Sequence, residues 1–108
     1  MSTLHPKRLQ DPEHRRIILS MPCVACGITG EQQTSPTQGH HIRERADGQQ
    51  YGRSQKASDL EMIPLCHFHH WNNGESPYTH KRFLEEFGSE RALLAIVLGK
   101  IARGEVAA

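Results

Sequence analysis

The sequence predicts a small α+β domain that is stapled by a bound metal and flanked by helices at both ends. The chain has 108 residues, the length of one domain with room for a modest core. Two short segments, 40–42 and 60–65, have the length and composition of strands. Three cysteines are an odd number for a disulfide framework, and eight histidines accompany them. A small domain gains much from a metal, so these cysteines and histidines are expected to bind one.

The first helix is predicted to begin directly after Asp11. Asp11 can cap the helix, Pro12 is favoured in a first turn, and the acidic residue that follows suits the positive end of the helix dipole. The helix is expected to stop near Met21, because the residue before a proline disfavours helical geometry. Residues 1–10 are expected to form a flexible N-terminal arm, and residues 11–108 a single domain.

Between the first helix and the second strand the sequence is mostly polar. Residues 22–27 are predicted to form a tight turn with two thiols on its rim, and residues 28–38 a loop rich in Thr, Gln, Ser, Gly and Pro. After the strand that ends at Leu65, a short helix is expected to run from His67 to the turn signal at Asn73-Gly74.

Two helices are predicted at the C-terminal end. Thr79 can cap a helix that Gly88 closes, and Ser89 can cap a final helix over about residues 90–103. Residues 92–98 of the final helix are apolar nearly all round, which is typical of a helix that is buried on several sides. The alternative explanation of this apolar surface is a homodimer that packs through the C-terminal helix.

Two ligand pairs with the same spacing predict a structural zinc site. A two-residue gap lets both members of a pair turn toward one ion, and two such pairs complete the tetrahedron that zinc prefers. Thiolates favour zinc over magnesium or calcium. Because four protein ligands leave no open position, this zinc is expected to be structural. The expected ligands are Cys23, Cys26, Cys66 and His69, with His67 or His70 as alternatives for the fourth position.

A second group of histidines is predicted to serve chemistry. His40 and His41 follow each other on a strand, so their side chains point to opposite faces and can divide their roles. His40 is expected to bind a divalent ion together with His70, which directly follows the zinc ligands. His41 is then the expected general base, because much of its imidazole is neutral near pH 7. The alternative is that His40 and His41 are ordinary surface residues.

These residues, in this order, resemble the His-Asn-His endonuclease family, including its small phage nucleases of recombination. The matching pieces are Cys23-Val24-Ala25-Cys26, His40-His41-Ile42, Asp59-Leu60 and Pro64-Leu65-Cys66-His67-Phe68-His69-His70. The resemblance covers about residues 20–88. It implies a ββα-metal core, treble-clef-like in shape, in which a β-hairpin and a helix surround one divalent ion. It also implies hydrolysis of phosphodiester bonds in DNA.

The resemblance assigns a role to each matching histidine. It implies that His41 is the general base and that His40 and His70 bind a catalytic ion, which is Mg²⁺ or Mn²⁺ with Zn²⁺ as a further option. The family has an asparagine that orients the base, and this chain has Asp59 at that position. Asp59 can accept a hydrogen bond from the ring of His41, or it can be only a cap or turn residue.

The third ligand of the catalytic ion is expected at one of two positions. Asn73 lies three residues after His70 and shares its face if a helix continues that far. His80 is similar to a later histidine of the small phage nucleases, and it is the preferred ligand.

DNA is the expected partner of the chain. The net charge of +1 is not strongly basic. Basic residues do occur in pairs, at Lys7/Arg8, Arg15/Arg16, Arg43/Arg45, Arg53/Lys56 and Lys81/Arg82. No apolar stretch approaches the length of a membrane span and the N-terminus lacks a secretory pattern, so no membrane contact and a cytoplasmic location are expected, in a bacterial host cell for a phage protein.

The resemblance also implies a recombination protein as a partner. The main rival hypothesis is a non-catalytic zinc module that binds DNA or another protein, which would need the zinc ligands but not the remaining histidines. A third hypothesis is a zinc hydrolase with another substrate, although the sequence lacks the His-Glu-x-x-His helix of the familiar peptidases.

Overall fold

The computed structural model describes residues 10–52 and 57–105. The expected N-terminal arm over residues 1–10 therefore lies outside the described residues, apart from Gln10. The same holds for the basic pairs at positions 7/8 and 53/56. Within the described ranges, the elements in chain order are α1 (Pro12–Ser20), α2 (Val24–Thr29), β1 (Thr37–His41), β2 (Met62–Cys66), α3 (His80–Phe87) and α4 (Glu90–Ala102). Helices and a two-stranded sheet confirm the α+β class.

The first helix forms where its capping residues predict it. The side chain of Asp11 accepts a hydrogen bond from the backbone N–H of His14, and Pro12 is the first helical residue. The tight turn expected over residues 22–27 is instead the short helix α2. The Cys23 sulfur caps this helix by accepting a hydrogen bond from the backbone N–H of Cys26. Cysteine is not among the residues that usually cap a helix, so the sequence did not predict this start. The expected loop over 28–38 accordingly begins only after α2.

The sheet brings the two halves of the sequence together. Strands β1 and β2 are antiparallel, with a register that runs from Thr37 opposite Cys66 to His41 opposite Met62. All five residues of β2 are buried, so this strand passes through the core. Helix α1 packs on both strands and α4 packs on β2. The end of β1 that carries His41 therefore lies beside the turn that leads into β2.

The prediction of a short helix after His67 is wrong. Residues 67–76 form turns, and the next helix begins only at His80. The side chain of Asn73 explains the difference, because its amide donates to the carbonyl of His67 and its oxygen accepts the N–H groups of Glu75 and Ser76. Such side-chain bonds offer the backbone an alternative to helical hydrogen bonds. The ββα arrangement, which places a helix directly after the second strand, stays a prediction.

The C-terminal helices follow their predicted caps closely. Thr79 caps α3 and Ser89 caps α4, each by accepting backbone N–H groups of the first turn. Helix α4 buries Leu93, Leu94 and Val97 but leaves its opposite side exposed, so it is buried on one side. The homodimer through α4 stays a prediction. None of the helices in the described ranges has the length and apolar content needed to cross a membrane.

Phe83 tests which face of α3 holds the fold together. Its ring is fully buried against Tyr78 and Phe87, whereas the next residue, Leu84, is exposed. We expect Phe83→Ala to lower the free energy of unfolding by about 3–5 kcal/mol, because it removes a large buried ring and leaves a cavity. Leu84→Ala is the matched control, with an expected change below about 0.5 kcal/mol. Urea unfolding measures both, and equal losses would contradict this packing.

Candidate functional site

The two predicted ligand pairs meet at one point between α2 and the end of β2. Cys23 is the N-cap of α2 and Cys26 lies in its first turn, so both sulfurs face the same side. Cys66 is the last residue of β2, and His69 lies in the turn that follows. All four side chains are buried, and their donor atoms lie within 4.8 Å of one another. We refer to these four residues as the Cys3His group.

The separations within the Cys3His group are those of a tetrahedral metal site. A zinc–sulfur bond of about 2.3 Å places two sulfurs of a tetrahedron roughly 3.8 Å apart. The Sγ atoms of Cys26 and Cys66 are 3.8 Å apart. This distance is far beyond a disulfide bond, and all three cysteines are free thiols. The Nδ1 atom of His69 lies 3.7 Å from Cys23 Sγ, 3.5 Å from Cys26 Sγ and 3.2 Å from Cys66 Sγ. The residues therefore fit zinc.

The electrostatics of the Cys3His group indicate that it needs a cation. Burial, together with the neighbouring thiols, raises the pKa of Cys26 to about 12. Burial likewise raises the pKa of Cys23. Burial also acts to raise the pKa of Cys66, but hydrogen bonds from the His69 backbone and the Ser35 hydroxyl outweigh it and lower that pKa. Three adjacent buried thiolates repel one another, and a zinc ion removes this cost by binding them in the deprotonated form.

The structure identifies His69 as the fourth ligand among the three histidines considered. His67 is partly exposed and pairs with Glu75 at 2.8 Å. His70 points to β1 and not to the thiols. Because Nδ1 of His69 faces the sulfurs, its buried Nε2 carries the hydrogen; it makes no hydrogen bond to the described residues, and the carboxylate of Glu31 lies 3.6 Å away. A carboxylate behind a ligating histidine is a common arrangement in metal sites.

Strand β1 separates His40 from His41, as the alternation of a strand requires. Nε2 of His41 lies 2.8 Å from Oδ1 of Asp59, and the His41 side chain is 24% exposed while that of Asp59 is 2% exposed. Burial acts to raise the pKa of Asp59, but hydrogen bonds from His41 and from the Asp11 backbone N–H outweigh it and lower that pKa. Asp59 is therefore an ionised acceptor that holds the ring of His41.

His40 faces the interior and meets a carboxylate that the sequence did not predict. Nε2 of His40 lies 2.6 Å from Oε2 of Glu90, and the two side chains are 1% and 0% exposed. The other oxygen of Glu90 accepts the backbone N–H groups of Arg43 at 2.8 Å and Glu44 at 3.0 Å. Burial acts to raise the pKa of Glu90, but the bonds from His40 and from the backbone lower it overall. His40 is thus no ordinary surface residue.

His70 is the partner of His40, as its position after the zinc ligands suggested. The rings of His40 and His70 meet edge to face with their centres 4.9 Å apart. Nδ1 of His70 lies 2.6 Å from the side-chain oxygen of Gln38, which stands two residues before His40 on β1. Burial, reinforced by His40 and His67, lowers the pKa of His70 to about 4. Its imidazole is therefore neutral near pH 7, the form that binds metals.

The separation of His40 and His70 is compatible with one shared ion. A metal–nitrogen bond of about 2.1 Å puts an ion roughly 3.2 Å from the centre of each ring, so two rings around it stand roughly 4.5–5.2 Å apart. The observed 4.9 Å falls in this range. In the part of the chain that the structure describes, only the Cys3His group brings three or more donor atoms within 4.8 Å of one another. His40, His70 and His80 do not form a second set of that kind.

The third predicted ligand, His80, is held beside this pair by Trp71. The His80 ring stacks on Trp71 at 4.3 Å, and Trp71 also contacts His40 at 5.3 Å. Nδ1 of His80 lies 3.2 Å from the amide nitrogen of Gln50. The alternative ligand, Asn73, uses its amide to hold the turn after β2. The Asn73 amide is thus already used in the turn, and His80 as the third ligand stays a prediction.

Three residues around the histidines were not expected from the sequence. In the sequence, Glu90 has the character of an acidic residue at the start of a helix, and Trp71 that of an aromatic core residue. Only Gln38 carried a usable signal, because residues two apart on a strand share a face. Glu90 comes from a helix far along the chain, so no local pattern could connect it with His40.

Zinc content tests the Cys3His group directly. We expect the purified protein to hold one tightly bound zinc per chain, and Cys26→Ser to lose it along with more than about 4 kcal/mol of stability, because loss of a structural metal is among the most damaging changes. The matched control is the next residue in α2, Gly27→Ala, since a Cβ there meets nothing within 4 Å. Elemental analysis and urea unfolding measure these effects. A folded wild-type protein without zinc would refute the assignment.

Comparison with known proteins does not assign the chain to a family. No protein-family model matches the chain, and neither a curated protein nor a solved structure matches it. The case for a function therefore rests on the side chains described above, and the likeness to His-Asn-His endonucleases rests on the sequence alone.

Proposed function

We propose that this protein is a metal-dependent endonuclease that hydrolyses phosphodiester bonds in DNA. The observation that carries the proposal is the pairing at the end of β1. There, His41 is held by the ionised Asp59, and the neighbouring residue His40 contacts His70 on the other face of the strand. An oriented base directly beside a pair of metal-binding imidazoles is the arrangement that water-mediated phosphodiester cleavage requires.

His41 acts as the general base in this proposal. Asp59 accepts the hydrogen on Nε2, so in the neutral ring the lone pair lies on Nδ1. That nitrogen takes a proton from the attacking water, and the carboxylate stabilises the imidazolium that results. The partial exposure of His41 lets water reach the ring, whereas Asp59 is shielded and keeps its orientation.

The residues that would hold a catalytic ion are His40 and His70, with His80 as the third. A divalent ion such as Mg²⁺ or Mn²⁺, or Zn²⁺, supplies electrostatic stabilisation of the charge that develops on the phosphate and on the leaving oxygen. The chain itself contributes hydrogen-bonded imidazoles, of which that of His70 is neutral near pH 7, and excludes water from the side of His40 that faces Glu90. Zinc in the Cys3His group has a different task, which is to fix the turn that carries His70.

Positive charge near the base suits a DNA substrate. Arg15 is exposed on α1 and lies near enough to Asp59 to lower its pKa further. The Arg15 guanidinium, close to Asp59, can contact a phosphate next to the one that is cleaved. A recombination protein as a partner stays a prediction from the resemblance, and the non-catalytic zinc module is the function that an inactive protein would indicate.

Plasmid nicking tests the proposal. We expect the zinc-loaded protein to nick supercoiled plasmid in Mg²⁺ or Mn²⁺ but not in EDTA-treated buffer without added ion. His41→Ala should lower the nicking rate by at least about 100-fold, the usual contribution of general base catalysis. The variant should keep its zinc, because His41 is not one of the Cys3His ligands, and its urea unfolding curve checks that it stays folded.

A residue outside the histidine site provides the control. Ile28→Ala removes a side chain of α2 that is 48% exposed and has no role in the proposed reaction, and it should nick at close to the wild-type rate. If His41→Ala stays folded and nicks as fast as the wild type, His41 is not the base. If the wild type is inactive on DNA with every divalent ion tried, the endonuclease proposal fails and the zinc module is favoured.

A further inference from the structure

Glu90 is a buried carboxylate that the proposed reaction does not yet use. It is the first residue of α4 and is 0% exposed. An isolated buried charge is very costly, so such a group persists only where several donors meet it. A negative charge at a helix start needs no burial to be favourable, since the helix dipole acts on exposed residues as well. The burial of Glu90 therefore calls for another reason.

That reason lies in the three donors that converge on its carboxylate. Oε1 accepts the backbone N–H groups of Arg43 and Glu44, which follow β1, and Oε2 lies 2.6 Å from Nε2 of His40. Converging N–H groups favour the ionised carboxylate, which can only accept. The hydrogen between Glu90 and His40 therefore belongs to Nε2 of His40. In the neutral imidazole that a metal binds, the lone pair is then on Nδ1.

His70 shows the complementary pattern. The side-chain oxygen of Gln38 accepts from Nδ1 of His70, so the lone pair of that ring lies on Nε2. Two rings in edge contact are thus each fixed in one tautomer by an acceptor behind them. Acceptors of this kind orient ligating histidines and increase their basicity, and replacing them typically lowers metal affinity 10- to 100-fold.

We propose that Glu90 is a positioning residue that fixes the tautomer of His40 and so directs Nδ1 of His40 to the divalent ion shared with His70. This inference rests on the proposed ion site but not on cleavage of DNA. Glu90 acts through His40 and itself contacts neither the substrate nor the reacting atoms.

Glu90→Gln separates this role from simple packing. The amide keeps the shape of the side chain, and its oxygen can still accept from the backbone of Arg43 and Glu44. Its NH₂ group then faces His40 and can only donate, which moves the hydrogen of His40 to Nδ1 and blocks the nitrogen assigned to the ion. Glu44→Gln is the matched control, because Glu44 bonds to Ser89 and Arg91 at the same corner without touching His40.

The experiment measures the tautomer and the metal affinity on the zinc-loaded protein. Long-range ¹H–¹⁵N NMR spectra at neutral pH, without Mn²⁺, should show the Nε2–H form of His40 in the wild type and in Glu44→Gln, and the Nδ1–H form in Glu90→Gln. Mn²⁺ titration followed by electron paramagnetic resonance should show an affinity 10- to 100-fold lower in Glu90→Gln, with Glu44→Gln unchanged. Glu90→Asp, which keeps an acceptor-only group, should retain the Nε2–H form and serves if Glu90→Gln does not fold.

The outcomes distinguish this inference from the proposed function. An Nδ1–H or doubly protonated His40 in the wild type overturns it, as does an unchanged Mn²⁺ affinity in Glu90→Gln after the tautomer has moved. Absence of Mn²⁺ binding by the wild type overturns it too. If tautomer and affinity behave as expected while the wild type does not nick DNA, the inference stands and the endonuclease proposal fails.

Discussion

The Cys3His group is the constraint on which the rest of the site depends. Its four donors come from two segments, 23–26 and 66–69, that are far apart in the sequence. Burial raises the pKa of Cys23 and of Cys26, so three adjacent thiolates are stable here only with a cation between them. With zinc bound, the turn after β2 has a fixed shape, and His70 follows the last ligand directly. The metal thus determines where the second set of histidines can lie.

A single physical device then recurs at each of these histidines. One ring nitrogen faces an acceptor from a different part of the chain, and that acceptor fixes the orientation of the ring. The pairs are His40 with Glu90, His41 with Asp59, and His70 with Gln38. Imidazole has two nitrogens with different roles, and only an acceptor behind the ring decides which one carries the hydrogen. The acceptors therefore matter as much as the histidines that a motif displays.

The sequence predicts features that depend on neighbouring residues and misses contacts between distant parts of the chain. The caps at Asp11, Thr79 and Ser89, the strand alternation at His40 and the zinc ligands all follow from residue types at short spacing, and the structure has each of them. The helix expected after His67 fails because one side chain outside its first turn, Asn73, captures the backbone hydrogen bonds. Competition of this kind depends on atomic positions that a residue pattern does not contain.

The partner of His40 was out of reach for a related reason. Glu90 lies 50 positions further along the chain, and it reaches His40 only because α4 packs against β2. From the sequence, an acidic residue after a serine cap is fully explained by the helix dipole. Its second role becomes visible only when burial is known, since a carboxylate with no exposure must be explained by its donors. The burial of the Glu90 carboxylate therefore gives information about the histidine site that no sequence motif contains.

The unequal exposure of His40 and His41 supports their division of roles. A general base must meet water, and His41 is 24% exposed, whereas His40 is 1% exposed and is held by an ionised group. If the two were interchanged, the base would be cut off from water and the ligand would face competition from solvent. Alternation along β1 provides the two environments with adjacent residues, because one face of the strand packs on α4 and the turn after β2 while the other lies against Asp59. The same His-His step on a strand with two exposed faces would lack this asymmetry, and with it the reason to assign two roles.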